Sequence, residues 1–301
     1  MIERRSDPRY QGRPLPRPDD ELVDQGLGFD LGTLFNRRRM LTVLGLGAVT
    51  AGLAACGTSA SATSPGEIPD ETAGPYPGDG SNGPNALSDG GVVRSDIRSS
   101  FGTGSAVAQG VPMTLELTIT DLANGGAPFA GTAVYVWHCD RDGNYSLYAE
   151  GLENENYLRG VQIADAVGKV RFTSIFPACY SGRWPHIHFE AYPDQASITD
   201  SGNAIATSQV ALPKDACDAV YATAGYESSV DTLAGVTLDG DNVFGDDGGA
   251  SQLGTVTGDT TAGYAVALTV PVDTTTEPAG GNAPAGGGPG GTPPDGPPPG
   301  S

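Results

Sequence analysis

Basic residues are scarce in this chain: 16 Lys and Arg stand against 36 Asp and Glu in 301 residues, a formal net charge of −20. Beyond Cys56 the imbalance is eight against 29. Such acidity repels phosphate backbones and excludes nucleic acid as a partner. Histidine is scarcer still, with three in the whole chain, and cysteine is limited to four. No Cys-x-x-Cys pair occurs, so three cysteines as zinc ligands are a weak reading, and the Cys-plus-axial-Met pattern of copper electron-transfer sites is not matched either. Long hydrophobic runs are missing as well. The most apolar stretch, Leu41 to Ala55, is too short and glycine-rich to span a bilayer comfortably.

That stretch follows the arginines of Asn36-Arg-Arg-Arg-Met-Leu41 and ends at Leu53-Ala-Ala-Cys56. A charged segment, a short apolar one and small residues before a processing point describe an export signal. Twin arginines point to the Tat route. Leu-Ala-Ala-Cys resembles a bacterial lipobox, which implies cleavage before Cys56 and lipid attachment to its thiol; the plainer alternative is an ordinary cleaved signal. Residues 1–56 are thus expected to be a leader and Tat-type lipoprotein signal, and 57–67 a flexible tether. Residues 68–272 are expected to form one domain, and 273–301 a disordered Pro/Gly-rich tail that buries too little to offset its ordering entropy. The expected location is the outer face of the cytoplasmic membrane, reached by export and held only by a lipid anchor at Cys56. In that compartment Cys139, Cys179 and Cys217 are expected to yield one disulfide and one leftover thiol, with the pairing open.

Helical periodicity is nearly absent from the domain. Pro112-Met-Thr-Leu-Glu-Leu-Thr-Ile-Thr120 alternates apolar and polar residues with the period of a half-buried strand. Residues 132–138, 169–175, 184–192, 206–212 and 264–270 continue a series of short strands. Turn signals such as Asn124-Gly-Gly, Asp142-Gly-Asn and Asp239-Gly-Asp separate them. This pattern predicts an all-β fold, an antiparallel β-sandwich with long loops and little helix. One short helix is expected near 215–223, and 226–262 is expected to be mostly irregular loop.

The most informative segment is Ser181-Gly-Arg-Trp-Pro-His-Ile-His-Phe-Glu190, which places His186 and His188 two apart on an expected strand. Side chains at i and i+2 share a face, so the two imidazoles are placed to bind one metal ion. Tyr180 lies just upstream, and Tyr145 stands in an Asp-Gly-Asn-Tyr-Ser turn at 142–146. A phenol ordinarily ionises near pH 10, but a trivalent cation favours the phenolate, a hard anionic donor. Two imidazoles with two phenolates suit ferric iron. His138 is expected to be structural, and Asp140, Asp142 and Asp165 to form turns.

Several segments resemble the intradiol ring-cleavage dioxygenases, the family of the catechol 1,2- and protocatechuate 3,4-dioxygenases. They are Gly131-Thr-Ala-Val-Tyr-Val-Trp-His-Cys-Asp-Arg-Asp-Gly-Asn-Tyr-Ser146, Leu158-Arg-Gly-Val-Gln-Ile-Ala-Asp165, Gly168-Lys-Val-Arg-Phe-Thr-Ser-Ile175 and Arg183-Trp-Pro-His-Ile-His188. The resemblance runs in order from about Glu71 to Leu212. It implies a non-haem Fe(III) held by Tyr145, Tyr180, His186 and His188, with Tyr180 and His188 axial. It implies catalytic roles for Tyr180, Arg183 and Gln209, and substrate contact by Arg183 and by Tyr76 of Glu71-Thr-Ala-Gly-Pro-Tyr76. The implied reaction cleaves a catechol with O2, between its two oxygenated carbons, to a muconate-type diacid.

Two departures from the family stand out. Only five residues separate Tyr180 from His186, an abbreviated arrangement that implies a more open pocket. No helical N-terminal dimerisation segment of the catechol 1,2-dioxygenase kind is present, which leaves oligomeric state open. The competing reading is a non-catalytic β-sandwich lipoprotein that captures aromatic or metal-chelating ligands without turnover.

Overall fold

The computed structural model describes residues 66–278 and, separately, a hairpin in which β1 (Arg9–Tyr10) pairs antiparallel with β2 (Arg13–Pro14). The chain divides into two units, Met1–Ser59 and Ala60–Ser301; the hairpin lies in the first, and all that follows concerns the second. The expected signal sequence, the lipidation site Cys56, residues 57–65 of the tether and residues 279–301 of the tail lie outside the described residues. Among the described residues no helix is long and apolar enough to cross a membrane.

Strict alternation builds β3 (Pro112–Asp121). Met113, Leu115, Leu117 and Ile119 are buried, while Thr114, Glu116 and Thr118 between them are partly exposed. β3 is central to a five-stranded sheet. One edge pairs in parallel with β11 (Gly263–Val272), the other antiparallel with β7 (Lys169–Ile175) and the short β4 (Ala127–Pro128). β10 (Thr255–Asp259) runs antiparallel outside β11. A four-stranded antiparallel sheet has the order β6 (Arg159–Ile163), β5 (Ala133–Trp137), β8 (His186–Tyr192), β9 (Ala206–Ala211). Val134, Val136, Ile187, Phe189 and Val210 from this sheet share one buried cluster with Leu115, Leu117, Phe172 and Val266 from the other. The β-sandwich expected from the alternation is present, with one parallel pair, β3 with β11, inside it.

Every residue of β5 and β8 is buried. One face of these strands fills the sandwich core. On the other, Ala133, Tyr135 and Trp137 join Tyr145, Tyr192 and the half-buried Tyr76 and Tyr180 in a second cluster. Loops therefore cover the outer face of the four-stranded sheet, and the candidate site lies beneath them.

The short helix expected near 215–223 is α1 (Lys214–Tyr221). The stretch read as irregular, 226–262, contains a second one, α2 (Glu227–Ala234). Only Ser229 and Leu233 of α2 are buried, too thin a stripe to give a readable helical period. The Asp165 turn forms as expected. Its Oδ1 accepts the backbone N–H groups of Val167 and Lys169. Gly168 adopts φ +78, and a Cβ there would lie 2.3 Å from the Ile119 carbonyl, so no other residue fits without displacing β3.

The expected disulfide is corrected: Cys139, Cys179 and Cys217 are all free and buried. Each Sγ contacts a different backbone carbonyl, Ala178 at 3.7 Å, Arg183 at 3.6 Å and Leu212 at 3.9 Å respectively. The thiols behave as small core side chains, as buried free cysteine commonly does. Burial pushes all three away from the thiolate, Cys179 up to about 12, which makes them inert. In native protein a thiol-specific reagent should therefore label none of the three, and in denaturant all three without any reductant. Loss of two labels that reductant restores would show a disulfide instead.

Candidate metal centre

β8 places the imidazoles of His186 and His188 on its outer face, while Ile187 and Phe189 point into the core. His188 is flanked in register by Trp137 on β5 and Gln209 on β9. The Trp137 and His188 rings stack at 4.9 Å with 7° between planes. His186 donates from Nδ1–H to the Trp184 carbonyl, which fixes its tautomer and leaves the Nε2 lone pair free. That Nε2 lies 3.0 Å from Nε2 of His188 and 3.1 Å from the Tyr180 hydroxyl. The Tyr145 and Tyr180 hydroxyls are 3.4 Å apart. Two ring nitrogens and two phenol oxygens thus meet in one cluster.

Local turns deliver the two phenols. Asp140 accepts the backbone N–H groups of Asp142 and Asn144 through Oδ1 and the Tyr157 hydroxyl through Oδ2, shaping the loop that ends at Tyr145. The segment before Tyr180 is tied by Ala178 N–H to the Asp140 carbonyl and by Cys179 N–H to the Ser229 hydroxyl on α2. The short connection to β8 leaves Ser181 and Gly182 exposed beside Tyr180.

Arg183 is held on one side by Asp241, with Nε–Oδ2 at 3.0 Å, and on the other by the Gln209 Oε1 at 2.6 Å. Gln209 in turn donates to the Thr72 carbonyl at 3.0 Å. Asp241 also accepts the backbone N–H groups of Trp184, Val243 and Phe244. The segment after Thr72 lies against the centre: a Cβ on Gly74 would be 3.3 Å from Cε1 of His188. The Tyr76 ring stands 5.0 Å from that of Tyr145. Tyr76, Arg183 and Gln209 are therefore gathered around the four-residue cluster. Cys56 is outside the described residues. His138 commits both ring nitrogens, to the Cys139 carbonyl and the Ser174 hydroxyl, and so retains no lone pair for an ion.

Sequence reading missed Asp241, Trp137 and Ser229. Asp241 stands in Asp239-Gly-Asp, read only as a turn; its partner is 58 residues away, and nothing local announces such a contact.

Electrostatics favour a cation ligated by neutral imidazoles. Burial, then Arg183, pushes His186 down to about 3. Burial and His186 hold His188 well below its ordinary range. Both therefore present unprotonated nitrogen at neutral pH. Burial raises both phenols, and their mutual proximity adds to this for Tyr145, so ionising them at neutral pH requires a strongly charged cation. His188 Nδ1 is buried with no hydrogen-bond partner, the state of an imidazole whose orientation is set by stacking and by what its Nε2 binds. Among the described residues no cluster of three His, Cys, Asp or Glu occurs; the donor set is imidazole and phenol, which fits a hard ferric ion.

Comparison with known proteins finds similarity over the part of the chain that carries this geometry. A family model described as Dioxygenase matches residues 85–191, a span that contains Tyr145, Tyr180, Arg183, His186 and His188. Over that segment the chain is similar to the dioxygenases that the model describes. It is 30% identical over 91 residues to a chlorocatechol 1,2-dioxygenase of Rhodococcus opacus, covering 27% of this chain and 35% of that protein. It is 42% identical over 55 residues to the chlorocatechol 1,2-dioxygenase of Pseudomonas sp. (strain P51), covering 18% of this chain and 22% of that protein. The matches thus span about a third or less of these curated relatives' length. The fold is that of an intradiol ring-cleavage dioxygenase from Tetranychus urticae, with TM-score 0.53 and 20% identity, covering 69% of this chain and 95% of that one.

The Arg183–Asp241 pair yields a prediction. Burial alone would raise the Asp241 carboxyl, but Arg183 and the Trp184 and Val243 N–H groups hold it below its ordinary 3.8. A lowered carboxyl contributes stability that is full above 3.8 and lost as pH falls through the folded-state value. Asp241→Asn should destabilise the domain at neutral pH, by about 3–5 kcal/mol for a pair this buried, and flatten the pH dependence of stability below 3.8. Urea unfolding across pH 2–7 measures both; a wild-type acid limb kept by the variant contradicts it.

Proposed function

We propose that this domain is an exported non-haem Fe(III) intradiol dioxygenase that cleaves catechol-type rings with O2 to muconate-type diacids. The observation that carries the reading is the convergence of Tyr145, Tyr180, His186 and His188 through contacts of 3.0 to 3.4 Å. These four residues would hold the ion. Ferric iron, when bound, would supply Lewis acidity toward a catechol and the electronic coupling that lets the ring react with dioxygen.

The protein's own share follows from position. Tyr145 is 3% exposed, whereas Tyr180 is half-buried. Tyr180 is therefore the less enclosed of the two side chains, and its oxygen would be the one to accept a catechol proton. Trp137 keeps the His188 ring from turning. Arg183 cannot be deprotonated and is fixed at both ends by Asp241 and Gln209, so its charge is aimed in advance at negative charge developing on the substrate. Tyr76 offers an aromatic wall beside Tyr145. The balance is one catechol plus one O2 to one diacid, with both oxygen atoms retained.

Iron-loaded protein should show a visible phenolate-to-iron band, consume O2 with catechol, and place both atoms of 18O2 in the product. Tyr180→Phe should lower kcat by roughly 10²–10⁴-fold. A protein that stays colourless and inactive after ferric reconstitution refutes the reading. Iron or catechol binding without O2 uptake would establish the non-catalytic binder.

Export rests on the residue pattern of Arg37, Arg38 and Leu53-Ala-Ala-Cys56. Cys56→Ser should move the protein from membrane to soluble fractions, and lysines in place of Arg37 and Arg38 should keep it inside the cell. Unchanged fractionation of both variants would defeat this part.

A further inference from the structure

Arg159, at the start of β6, is 1% exposed, and none of its role is visible in composition or spacing. Its five N–H groups, all that a guanidinium has, are each bonded to a neutral oxygen. Nε donates to the Ser146 hydroxyl at 3.0 Å, and Nη2 to the Ser146 carbonyl and the Tyr76 carbonyl, both at 2.9 Å. Nη1 donates to the Pro77 carbonyl at 2.6 Å and the Tyr135 hydroxyl at 3.0 Å. Two of these partners belong to the residue after Tyr145, and two to Tyr76 and its neighbour. One side chain thus joins the turn carrying a candidate ligand to the segment carrying the candidate ring wall.

The surrounding backbone is shaped to allow this. Gly78 has φ +64, and a Cβ there would lie 2.7 Å from Nη1 of Arg159. Among the described residues the only non-glycine positions with positive φ are Leu147 at 71° and Leu158 at 57°. One directly follows Ser146, and the other directly precedes Arg159. Leucine in the left-handed region is sterically disfavoured, and such conformations persist only where the surroundings over-determine them. Both strained residues flank the same contact.

We propose that Arg159 is a positioning residue of the metal centre, a buried five-point clamp that sets Tyr145 and Tyr76 in one fixed geometry. This rests on the reading of the four-residue cluster as a ferric site. All five of its donors are used on protein oxygens, so Arg159 has none left for an ion's ligand or a substrate. It acts through Ser146 on Tyr145, and through the Tyr76 and Pro77 carbonyls on the aromatic wall beside it. A lysine keeps the charge but has at most three donors and no planar fork, so it cannot hold both segments at once.

The test uses Arg159→Lys, with Ser146→Ala as a milder variant that keeps the guanidinium and removes one acceptor. Hydrogen exchange read without iron should speed up at residues 74–80 and 143–148 in Arg159→Lys, while β3 and β11 keep wild-type rates. Ser146→Ala should do the same to a smaller extent, mainly at 143–148. Ferric affinity, measured by chelator competition, should fall roughly 10–100-fold in Arg159→Lys, with a shifted phenolate-to-iron band. The proposal is overturned if exchange in both segments is unchanged. It is overturned equally if exchange rises evenly across the domain while ferric affinity stays at the wild-type value. Should the wild-type protein take up no ferric ion, the reading of the centre fails and Arg159 has no centre to position. Local exchange changes would then describe a structural clamp only.

Discussion

The site depends on β8 being buried on both faces. Ile187, Phe189 and Ala191 fix one face in the sandwich core, and the period of two then leaves His186 and His188 no choice but the other. A slip of one residue would bury both imidazoles among aliphatic side chains and turn Ile187 outward. The hydrophobic core therefore specifies the register, and the register specifies where the two imidazoles stand. Across the same register Trp137 and Gln209 flank His188. Trp137 orients the ring by stacking. Gln209 passes the constraint on to Arg183 and to the Thr72 carbonyl.

The sheet supplies nitrogen and the loops supply oxygen, so a second set of constraints must hold the loops to the sheet. Those constraints are polar. Asp140 organises the turn before Tyr145, Ser229 on α2 ties the segment before Tyr180, and Asp241 anchors Arg183 and Trp184 together. Each is a buried or half-buried bond whose loss leaves an orphaned group, which makes it more costly to break than its net strength suggests. Apolar packing positions the sheet, and directional bonds then position what hangs above it.

This division explains what was legible in the sequence. Alternation in Pro112–Thr120 and the His-x-His spacing are local signals with a fixed geometric meaning, and the structure places those residues as that meaning requires. The turn chemistry at Asp140 and Asp165 is equally local. Partners distant in sequence were not legible: Arg183 with Asp241, Arg159 with Tyr76, and the parallel pairing of β3 with β11 join residues 58, 83 and about 150 positions apart. The cysteines misled because compartment was allowed to decide their state. Cys139 lies in the cluster beneath the loops, whereas Cys179 and Cys217 lie in the sandwich core, and burial in apolar surroundings suffices to account for each.

Charge is distributed in a way that net composition conceals. Arg98, Lys169 and Lys214 form exposed pairs with Asp96, Glu116 and Asp218, which contribute little to stability and are screened by salt. Arg94, Arg159 and Arg183 are turned inward instead. Arg94 donates to the carbonyls of Arg159 and Asn156, so one inward arginine steadies the backbone of the next. The acidic surface decides which macromolecules keep away, but at physiological salt its field fades over about 8 Å. Around the cluster the charge is set locally, and there the Arg183 guanidinium is matched to Asp241. The overall charge of −20 is thus a poor guide to the charge at the centre.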